Sequence, residues 1–359
     1  MTQSHVTIIA EAGVNHNGSK DRAIALIDAA AAAGADLVKF QTFKADDMAR
    51  PDVAKAAYQT KQVGGDFSQH AMLKSLELNE DWHHDLIVYA RARGIGFIST
   101  AFDVASLTFL AGLDLPFFKI PSGELTNGPL LWRFARTGKP LVLSTGMATL
   151  SEVEEALAVI AHALTNDNEP DHRDAIWPAL STPGAHAMLQ KRVTLLHCTS
   201  QYPTPMEEVN LRGMATLQVA FDLPVGYSDH TMGIHVPTAA VALGACVIEK
   251  HITTDRALPG PDHAASLEPD EFCAMVAAIR GISSAMGKAS KTPQPSEWAT
   301  RAVVRQRIVV ARPLVIGQTI STDDLTTARS TAGLPAMNLW SWIGRPAPKD
   351  FSVGDGFEP

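Results

Sequence analysis

Two apolar runs near residue 240 end in side chains that can do chemistry. Residues 223–230 finish with a hydroxyl, a carboxylate and an imidazole, and residues 245–251 finish with a carboxylate, an ammonium group and a second imidazole. Burying such groups costs several kcal/mol unless they are paired or ligated. Because neutral imidazoles suit a divalent transition metal ion, we predict that His230 and His251 are metal ligands. Two hydrogen-bonded structural histidines are the alternative interpretation.

Lysines at two further strand ends indicate an anionic substrate. Lys39 and Lys119 lie in or directly after apolar runs, where an unpaired ammonium group is costly, and we expect them to bind a carboxylate or a phosphate. A Schiff-base lysine of an aldolase is a second interpretation of Lys119. Glu11 and Glu124 are candidate acid–base groups. The hydroxyl donors predicted around the anion are Thr100, Ser122, Ser144 and Ser228.

The spacing of these residues predicts the elements that position them. Eight apolar runs end in polar groups, at residues 6–11, 37–41, 95–100, 117–124, 141–145, 193–200, 223–230 and 245–251. Eight strands close a (β/α)8 TIM barrel, and their carboxyl ends open onto one face. The spacer at residues 21–34 consists of helix formers, with Asp at its start and Gly at its end. A doubly wound open sheet is the alternative, but no Gly-x-Gly-x-x-Gly follows the first strand.

The sequence changes character after residue 287. A Pro- and Ser-rich stretch at residues 288–296 precedes two β-rich segments that contain Gly turns. Residues 165–191, rich in Asn, Asp, Pro and His, predict an exposed insertion on the barrel face away from catalysis. The predicted regions are a barrel catalytic domain at 1–287, a linker at 288–300 and a small β-rich domain at 301–359.

The composition of the chain argues against several classes of function and location. The net charge of −8 argues against nucleic acid as a partner. The apolar runs are too short for a transmembrane helix, and a strand begins so early that we expect no signal peptide. The 3 cysteines lie far apart, as expected of reduced thiols in a cytoplasmic protein.

Eight motifs together resemble the sialic acid synthase family. They occupy residues 11–19, 39–44, 119–124, 143–147, 197–205, 226–231, 249–253 and 260–263. The resemblance covers nearly the whole chain, in the family's order and spacing. It implies a barrel followed by an antifreeze-protein-like (SAF) domain, and a domain-swapped homodimer in which each C-terminal domain covers the barrel mouth of the other subunit.

The resemblance also implies a reaction and roles for residues. The family condenses phosphoenolpyruvate with an open-chain N-acylated mannosamine-type sugar and releases phosphate. His230 and His251 would bind Mn²⁺ or a similar ion such as Mg²⁺ or Co²⁺, and Glu124 would transfer protons; no Schiff base at Lys119 is needed. The phosphoenolpyruvate ligands would be Lys39, Thr100, Lys119, Ser122, Ser144 and Ser228. The sugar ligands would be Glu11, Gln41, Tyr202, Asp262 and, from the C-terminal domain, Arg329.

Three departures from the family pattern concern the sugar. The family usually has Arg-Pro-Gly, whereas in this chain Ser-Thr-Ala-Gly follows Arg329. Gly64 stands where some members have Asn, and Ser200 stands where relatives have Asn or Thr. The strand-end set leads us to expect an N-acetylneuraminate synthase. A legionaminic acid synthase that uses 2,4-diacetamido-2,4,6-trideoxymannose is the alternative, since the departures could alter which sugar fits. A barrel that has lost catalysis and acts as a regulatory or sugar-binding protein is a third hypothesis, disfavoured because the strand-end set is intact.

Overall fold

The computed structural model describes residues 5–64 and 68–359, which form two compact units, Met1–Gly287 and Lys288–Pro359. The strands of the first unit are β1 (Thr7–Gly13), β2 (Leu37–Thr42), β3 (Gly96–Ala101), β4 (Phe118–Ile120), β5 (Leu141–Ser144), β6 (Val193–His197), β7 (Val225–Asp229) and β8 (Val247–His251). Its helices are α1 (Lys20–Ala32), α2 (Ala45–Met48), α3 (Ala57–Val63), α4 (Gln69–Ser75), α5 (His83–Ala92), α6 (Val104–Ala111), α7 (Gly128–Arg136), α8 (Leu150–Thr165), α9 (Ala185–Arg192), α10 (Gly213–Phe221), α11 (His235–Ala242) and α12 (Pro269–Ala285).

The eight strands form one parallel sheet in the order β3-β2-β1-β8-β7-β6-β5-β4. Strands β3 and β4 lie beside each other, which brings the two ends of the sheet together. Helices follow the strands and cover the outside, as right-handed crossovers between parallel strands require. The predicted (β/α)8 barrel is confirmed.

The inside of the barrel is built in layers. One apolar layer consists of Ile9, Leu37, Ile98, Val142, Leu196 and Val247, with Phe117 packed against it. At this level β7 carries Gly226. A side chain would clash there, because an added Cβ would lie 2.6 Å from Leu196 Cδ2 and 2.5 Å from the carbonyl oxygen of Val247. Side chains two residues apart on a strand share a face. The next layer toward the carboxyl ends is therefore Glu11, Lys39, Thr100, Lys119, Ser144, Cys198, Ser228 and Glu249.

The fourth strand is shorter than the sequence predicts. It ends at Ile120, and a 3₁₀ helix at Ser122–Glu124 follows Pro121. Proline has no backbone N–H to donate to the sheet, so the polar end of this run becomes a loop. Ser122 and Glu124 therefore project from a turn instead of a strand.

The segment at residues 165–191 packs on the barrel's outer helices. It contains a 3₁₀ helix at Arg173–Ser181, whose Ile176 and Ala179 are buried in the main core. Both Nε and an NH2 group of Arg173 donate to the carboxylate of Glu155 in α8, at 2.5 and 2.8 Å. Most residues of the segment are exposed, as predicted, while its apolar side packs on the barrel.

The second unit has its own small core. It contains α13 (Glu297–Val304) and the antiparallel strands β9 (Gln306–Val310) and β10 (Leu325–Arg329). Its buried apolar residues are Ile308, Val310, Leu314, Ile320, Leu325, Ala347, Phe351 and Phe357. No helix among the described residues of either unit is long and apolar enough to cross a membrane.

Candidate active site at the carboxyl ends of the barrel strands

A cavity of about 420 Å³ opens at the carboxyl ends of the strands. Of the residues predicted for the site, it is lined by Glu11, Lys39, Gln41, Thr100, Lys119, Ser122, Ser144, Ser200, Tyr202, Ser228, His230, His251 and Asp262. A larger cavity of about 580 Å³ lies among α7, α8 and the segment after α8 and contains none of them. Its lining lacks the convergent lysines, hydroxyls and imidazoles of the strand ends, so the chemistry belongs to the smaller cavity.

Two lysines and two carboxylates form the buried centre of the site. Lys39 Nζ lies 2.6 Å from Glu11 Oε2 and 3.8 Å from Glu249 Oε2, and Lys119 Nζ lies 3.7 Å from Glu249 Oε1. Burial opposes the charged form of Lys39, but Glu11 and Glu249 outweigh it and raise its pKa. Burial lowers the pKa of Lys119. An anion in this cavity would meet at least one fixed positive charge at low solvent exposure, where charge–charge attraction is strong.

Hydroxyl groups surround the lysines. Lys39 Nζ donates to Thr100 Oγ1 at 3.1 Å, and Ser228 Oγ donates to Glu249 Oε1 at 2.9 Å. Ser122 Oγ accepts from the backbone N–H of Gly146 at 3.0 Å, and Ser144 is buried in the next strand. Each hydroxyl is both a donor and an acceptor. Together, the hydroxyl groups of Thr100, Ser122, Ser144 and Ser228 can therefore bind the oxygens of a phosphate or carboxylate group.

The two predicted metal ligands are neighbours. The rings of His230 and His251 have centroids 5.5 Å apart, and the Tyr202 ring lies 4.1 Å from that of His230. His230 Nδ1 bonds the carbonyl of Thr199 at 2.7 Å, which fixes the proton on Nδ1 and leaves Nε2 as a lone-pair donor. Burial lowers the pKa of both histidines, that of His251 well below its usual range.

These features fit a divalent metal ion. Both imidazoles are held neutral, and the buried Nδ1 of His251 has no hydrogen-bond partner among the described residues. Asp262 Oδ2 lies 3.9 Å from that nitrogen. No group of three or more His, Cys, Asp or Glu in residues 5–64 and 68–359 is arranged to bind a metal. Two protein ligands would leave the remaining positions of an ion to water and substrate.

The carboxyl groups of Glu11 and Asp262 line the cavity together with this pair. Gln41 Nε2 donates to Glu11 Oε1 at 3.1 Å, and burial raises the pKa of Glu11. Burial, together with the nearby Glu11, raises the pKa of Asp262 to about 7. A carboxyl group that holds a proton near neutrality can donate as well as accept hydrogen bonds.

Two predicted site residues do not line the cavity. Glu124 is half-buried, and its Oε2 accepts a hydrogen bond from Asn127 Nδ2 at 2.7 Å. Arg329 is exposed at the end of β10 in the second unit. Gly64, where the family pattern is broken, ends α3 with φ of 63° and is also absent from the lining.

Sequence reasoning missed Glu249 and Cys198. Both line the cavity, and Glu249 contacts both lysines. Alternation on a strand puts Glu249 on the same face as His251, so the signal was present in the sequence. Cys198 Sγ lies 3.3 Å from Ser122 Oγ, so a thiol lies beside one of the hydroxyl groups of the site.

A second buried ion pair supports the site from outside the barrel. Lys250 Nζ lies 2.5 Å from Asp229 Oδ2, and both side chains are fully buried. Asp229 accepts from the N–H and the hydroxyl of Thr231, and Lys250 donates to the Thr231 carbonyl. These bonds fix the turn that follows His230.

Known proteins resemble the chain along most of its length. A model of the NeuB family matches residues 26–291. The N,N'-diacetyllegionaminic acid synthase of Campylobacter jejuni is 45% identical over 96% of this chain and 96% of that protein. The protein of the same name from Legionella pneumophila is 44% identical over 97% of this chain and 92% of its own length. The crystal structure of N-acetylneuraminic acid synthetase from Leptospira borgpetersenii in complex with citrate has a TM-score of 0.67 and 32% identity, covering 83% of this chain and 90% of that one.

Proposed function

This chain belongs to the NeuB family and is a nonulosonic acid synthase, and we propose that it condenses phosphoenolpyruvate with 2,4-diacetamido-2,4,6-trideoxymannose to give N,N'-diacetyllegionaminic acid and phosphate. The observation that carries the proposal is its similarity to two proteins named for that product, which exceeds its similarity to the Leptospira neuraminic acid synthetase. The sequence alone favours N-acetylneuraminate; the relatives favour the alternative sugar.

The strand-end residues account for binding of phosphoenolpyruvate. Lys39 and Lys119 supply positive charge, and the surrounding hydroxyl groups supply directional donors. Binding in this buried cavity holds C3 of phosphoenolpyruvate near the sugar aldehyde, which removes much of the entropic cost of a bimolecular reaction. The C2=C3 π electrons of phosphoenolpyruvate then form a bond from C3 to the aldehyde carbon, and the aldehyde oxygen takes up a proton. Water adds to C2 and gives up a proton, and cleavage of the bond between C2 and the phosphate oxygen releases phosphate and leaves a ketone at C2.

His230 and His251 would hold a divalent ion, Mn²⁺ in our proposal and Mg²⁺ or Co²⁺ as alternatives. Such an ion supplies Lewis-acid polarisation of the aldehyde oxygen. Glu11, Gln41, Ser200, Tyr202 and Asp262 would bind the sugar hydroxyls and amide. Glu124 would transfer the proton of the attacking water, for which its side chain must leave Asn127.

The choice of sugar is tested by phosphate release from phosphoenolpyruvate with Mn²⁺. N-acetylmannosamine and 2,4-diacetamido-2,4,6-trideoxymannose are compared at equal low concentrations. We expect the second to give a kcat/KM at least about 10-fold higher, since a few groups in a pocket discriminate by about 10- to 200-fold. Faster turnover of N-acetylmannosamine would reject the proposed sugar, and release with neither would reject the proposed reaction.

Replacing a metal ligand should weaken metal binding. We expect His251→Ala to lower the affinity for Mn²⁺ by about 100-fold, since loss even of an indirect partner of a metal ligand costs about 10- to 100-fold. Titration followed by the electron paramagnetic resonance signal of free Mn²⁺ measures this without turnover. The matched control is His186→Ala, because His186 is exposed and bonded to Asp222. Equal affinities in the two variants would remove His251 from the metal site.

The C-terminal unit is proposed to act on the site of a second copy. In a domain-swapped homodimer, Arg329 of one subunit would donate to an acetamido carbonyl of the sugar in the other. We expect Arg329→Ala to raise the sugar KM by about 10- to 100-fold, because a hydrogen bond from a charged donor contributes roughly 1.5–3 kcal/mol. The KM for phosphoenolpyruvate should stay the same. Arg312→Ala, an exposed change in the same unit, is the control; an unaltered sugar KM in Arg329→Ala would contradict the role.

A further inference from the structure

One side of the cavity is lined by residues that the sequence analysis did not predict for the site. It is formed mainly by the connection between β2 and α5, which carries α2, α3 and α4. The side chains that line the cavity from this side, together with neighbours in the loops after β1 and β3, are Val14, Met48, Met72, Leu73, Leu76 and Phe102. We call these six residues the apolar wall. Val14, Met72, Leu73 and Leu76 belong to one buried cluster with Phe43, Ala45 and Ala49, and the partly buried Met48 and Phe102 pack against it.

Two amide side chains also line the cavity from the same connection. Gln69 Nε2 donates to Gln59 Oε1 at 3.3 Å, and the same oxygen accepts from the backbone N–H of Ala56 at 2.9 Å. An amide side chain carries both donors and an acceptor. The Nε2 of Gln59 and the Oε1 of Gln69 therefore complement the carbonyl and the N–H of a substrate acetamido group.

The cavity is thus two-sided. The strand-end side contains the lysines, hydroxyls, carboxylates and imidazoles, and the side from α2–α4 presents thioether, alkyl and aromatic groups with the two amides. A hydroxyl held against the apolar wall would lose its water partners without replacement, which is unfavourable. Transfer of a methyl group from water to this surface would be favourable in free energy.

The two candidate sugars differ in the groups that such a wall can distinguish. N-acetylmannosamine has a hydroxyl at C4 and a hydroxymethyl group as C6. The 2,4-diacetamido-2,4,6-trideoxy sugar has an acetamido group at C4 and a methyl group as C6. The second sugar offers two methyl groups and an amide, which match the wall and its two glutamines.

We propose that the apolar wall, with Gln59 and Gln69, is the subsite that receives the C4 acetamido group and the C6 methyl group of the sugar. This inference rests on the proposed function, because it assumes a sugar that reacts at the strand ends of the same cavity. It assigns the choice between amino sugars to the connection between β2 and α5.

The test compares both sugars at saturating phosphoenolpyruvate in the full-length enzyme and in three variants. In Met48→Gln, an amide of similar length replaces a thioether in the apolar wall. In Gln69→Leu, the substrate loses one amide partner. Met147→Gln is the matched control, because Met147 lines the same cavity from the loop after β5 and is 74% exposed. Thermal unfolding and the KM for phosphoenolpyruvate verify that each variant is folded.

We expect Met48→Gln and Gln69→Leu each to reduce the preference for the diacetamido sugar, measured as the ratio of the two kcat/KM values, by about 10- to 100-fold. Met147→Gln should leave that ratio within about twofold, as for exposed substitutions generally. If the unaltered enzyme prefers the diacetamido sugar and neither wall variant changes the ratio beyond the control, the subsite is wrong and the proposed function stands. If the unaltered enzyme prefers N-acetylmannosamine, the proposed sugar fails and the subsite fails with it.

Discussion

Replacing Lys250 with Met is expected to lower the free energy of unfolding by about 3–5 kcal/mol, the usual loss when one partner of a buried ion pair is removed. Lys250 Nζ lies 2.5 Å from Asp229 Oδ2, and neither side chain is exposed to solvent. The variant leaves the Asp229 carboxylate buried without its countercharge. Urea unfolding followed by circular dichroism measures the difference directly.

The control for this prediction is Lys20→Met, which breaks an ion pair with Asp85 of similar length on the surface. Exposed pairs contribute little because water and salt screen them, so this change should have a far smaller effect. The double variant Lys250→Met, Asp229→Asn should recover part of the loss, since it removes the unpaired charge. A loss in Lys250→Met no larger than in the control would show that Asp229 finds other partners.

The same pair links stability to the proposed metal site. Asp229 and Lys250 bond the backbone and side chain of Thr231, directly after His230. We therefore expect the Lys250→Met variant that remains folded to bind Mn²⁺ more weakly as well. Asp229 precedes His230 and Lys250 precedes His251 in the chain, so their ion pair holds the backbone next to both imidazoles.

The sequence predicts the site well wherever a side chain follows from strand alternation. The carboxyl ends of parallel strands in a barrel open on one face, so once the apolar runs are taken as barrel strands their polar ends are expected to meet. Glu249 was missed although the same alternation places it beside His251. Applying the step of two residues from Val247 would have found it.

What the sequence does not predict depends on loops. The direction of Glu124 follows from a turn after Pro121 and from a bond with Asn127, neither of which has a periodic signal. The apolar wall comes from short helices in one long connection, whose side chains become neighbours only after folding. The segment after α8 was predicted to be exposed because it is rich in polar residues. Most of it is exposed, and the burial of Ile176 and Ala179 against the barrel is the part that has no periodic signal in the sequence.

Replacing Glu124 with Gln is expected to lower kcat by about 100- to 10,000-fold, the usual contribution of a general acid or base. The KM for phosphoenolpyruvate should change little, because in the described structure the Glu124 side chain bonds Asn127 and not the lysines or hydroxyls proposed to bind this substrate. The side chain needs to give up one hydrogen bond to Asn127 to reach the cavity, a net cost of about 1 kcal/mol, and Ser122 and Gly123 beside it already line that cavity. Rapid-quench measurement of phosphate release isolates the chemical step.

Glu152→Gln is the matched control, since Glu152 lies in the first turn of α8 and bonds only its own helix cap, Thr149, in the described structure. It should leave kcat unaltered. Full activity in Glu124→Gln would mean that its carboxylate serves only to bond Asn127. Proton transfer would then fall to Glu11 or Asp262, which line the cavity beside His251, and Asp262→Asn would be expected to show the loss in kcat instead. The pair of variants therefore separates a carboxylate that acts from the loop after β4 from one that acts beside the imidazoles.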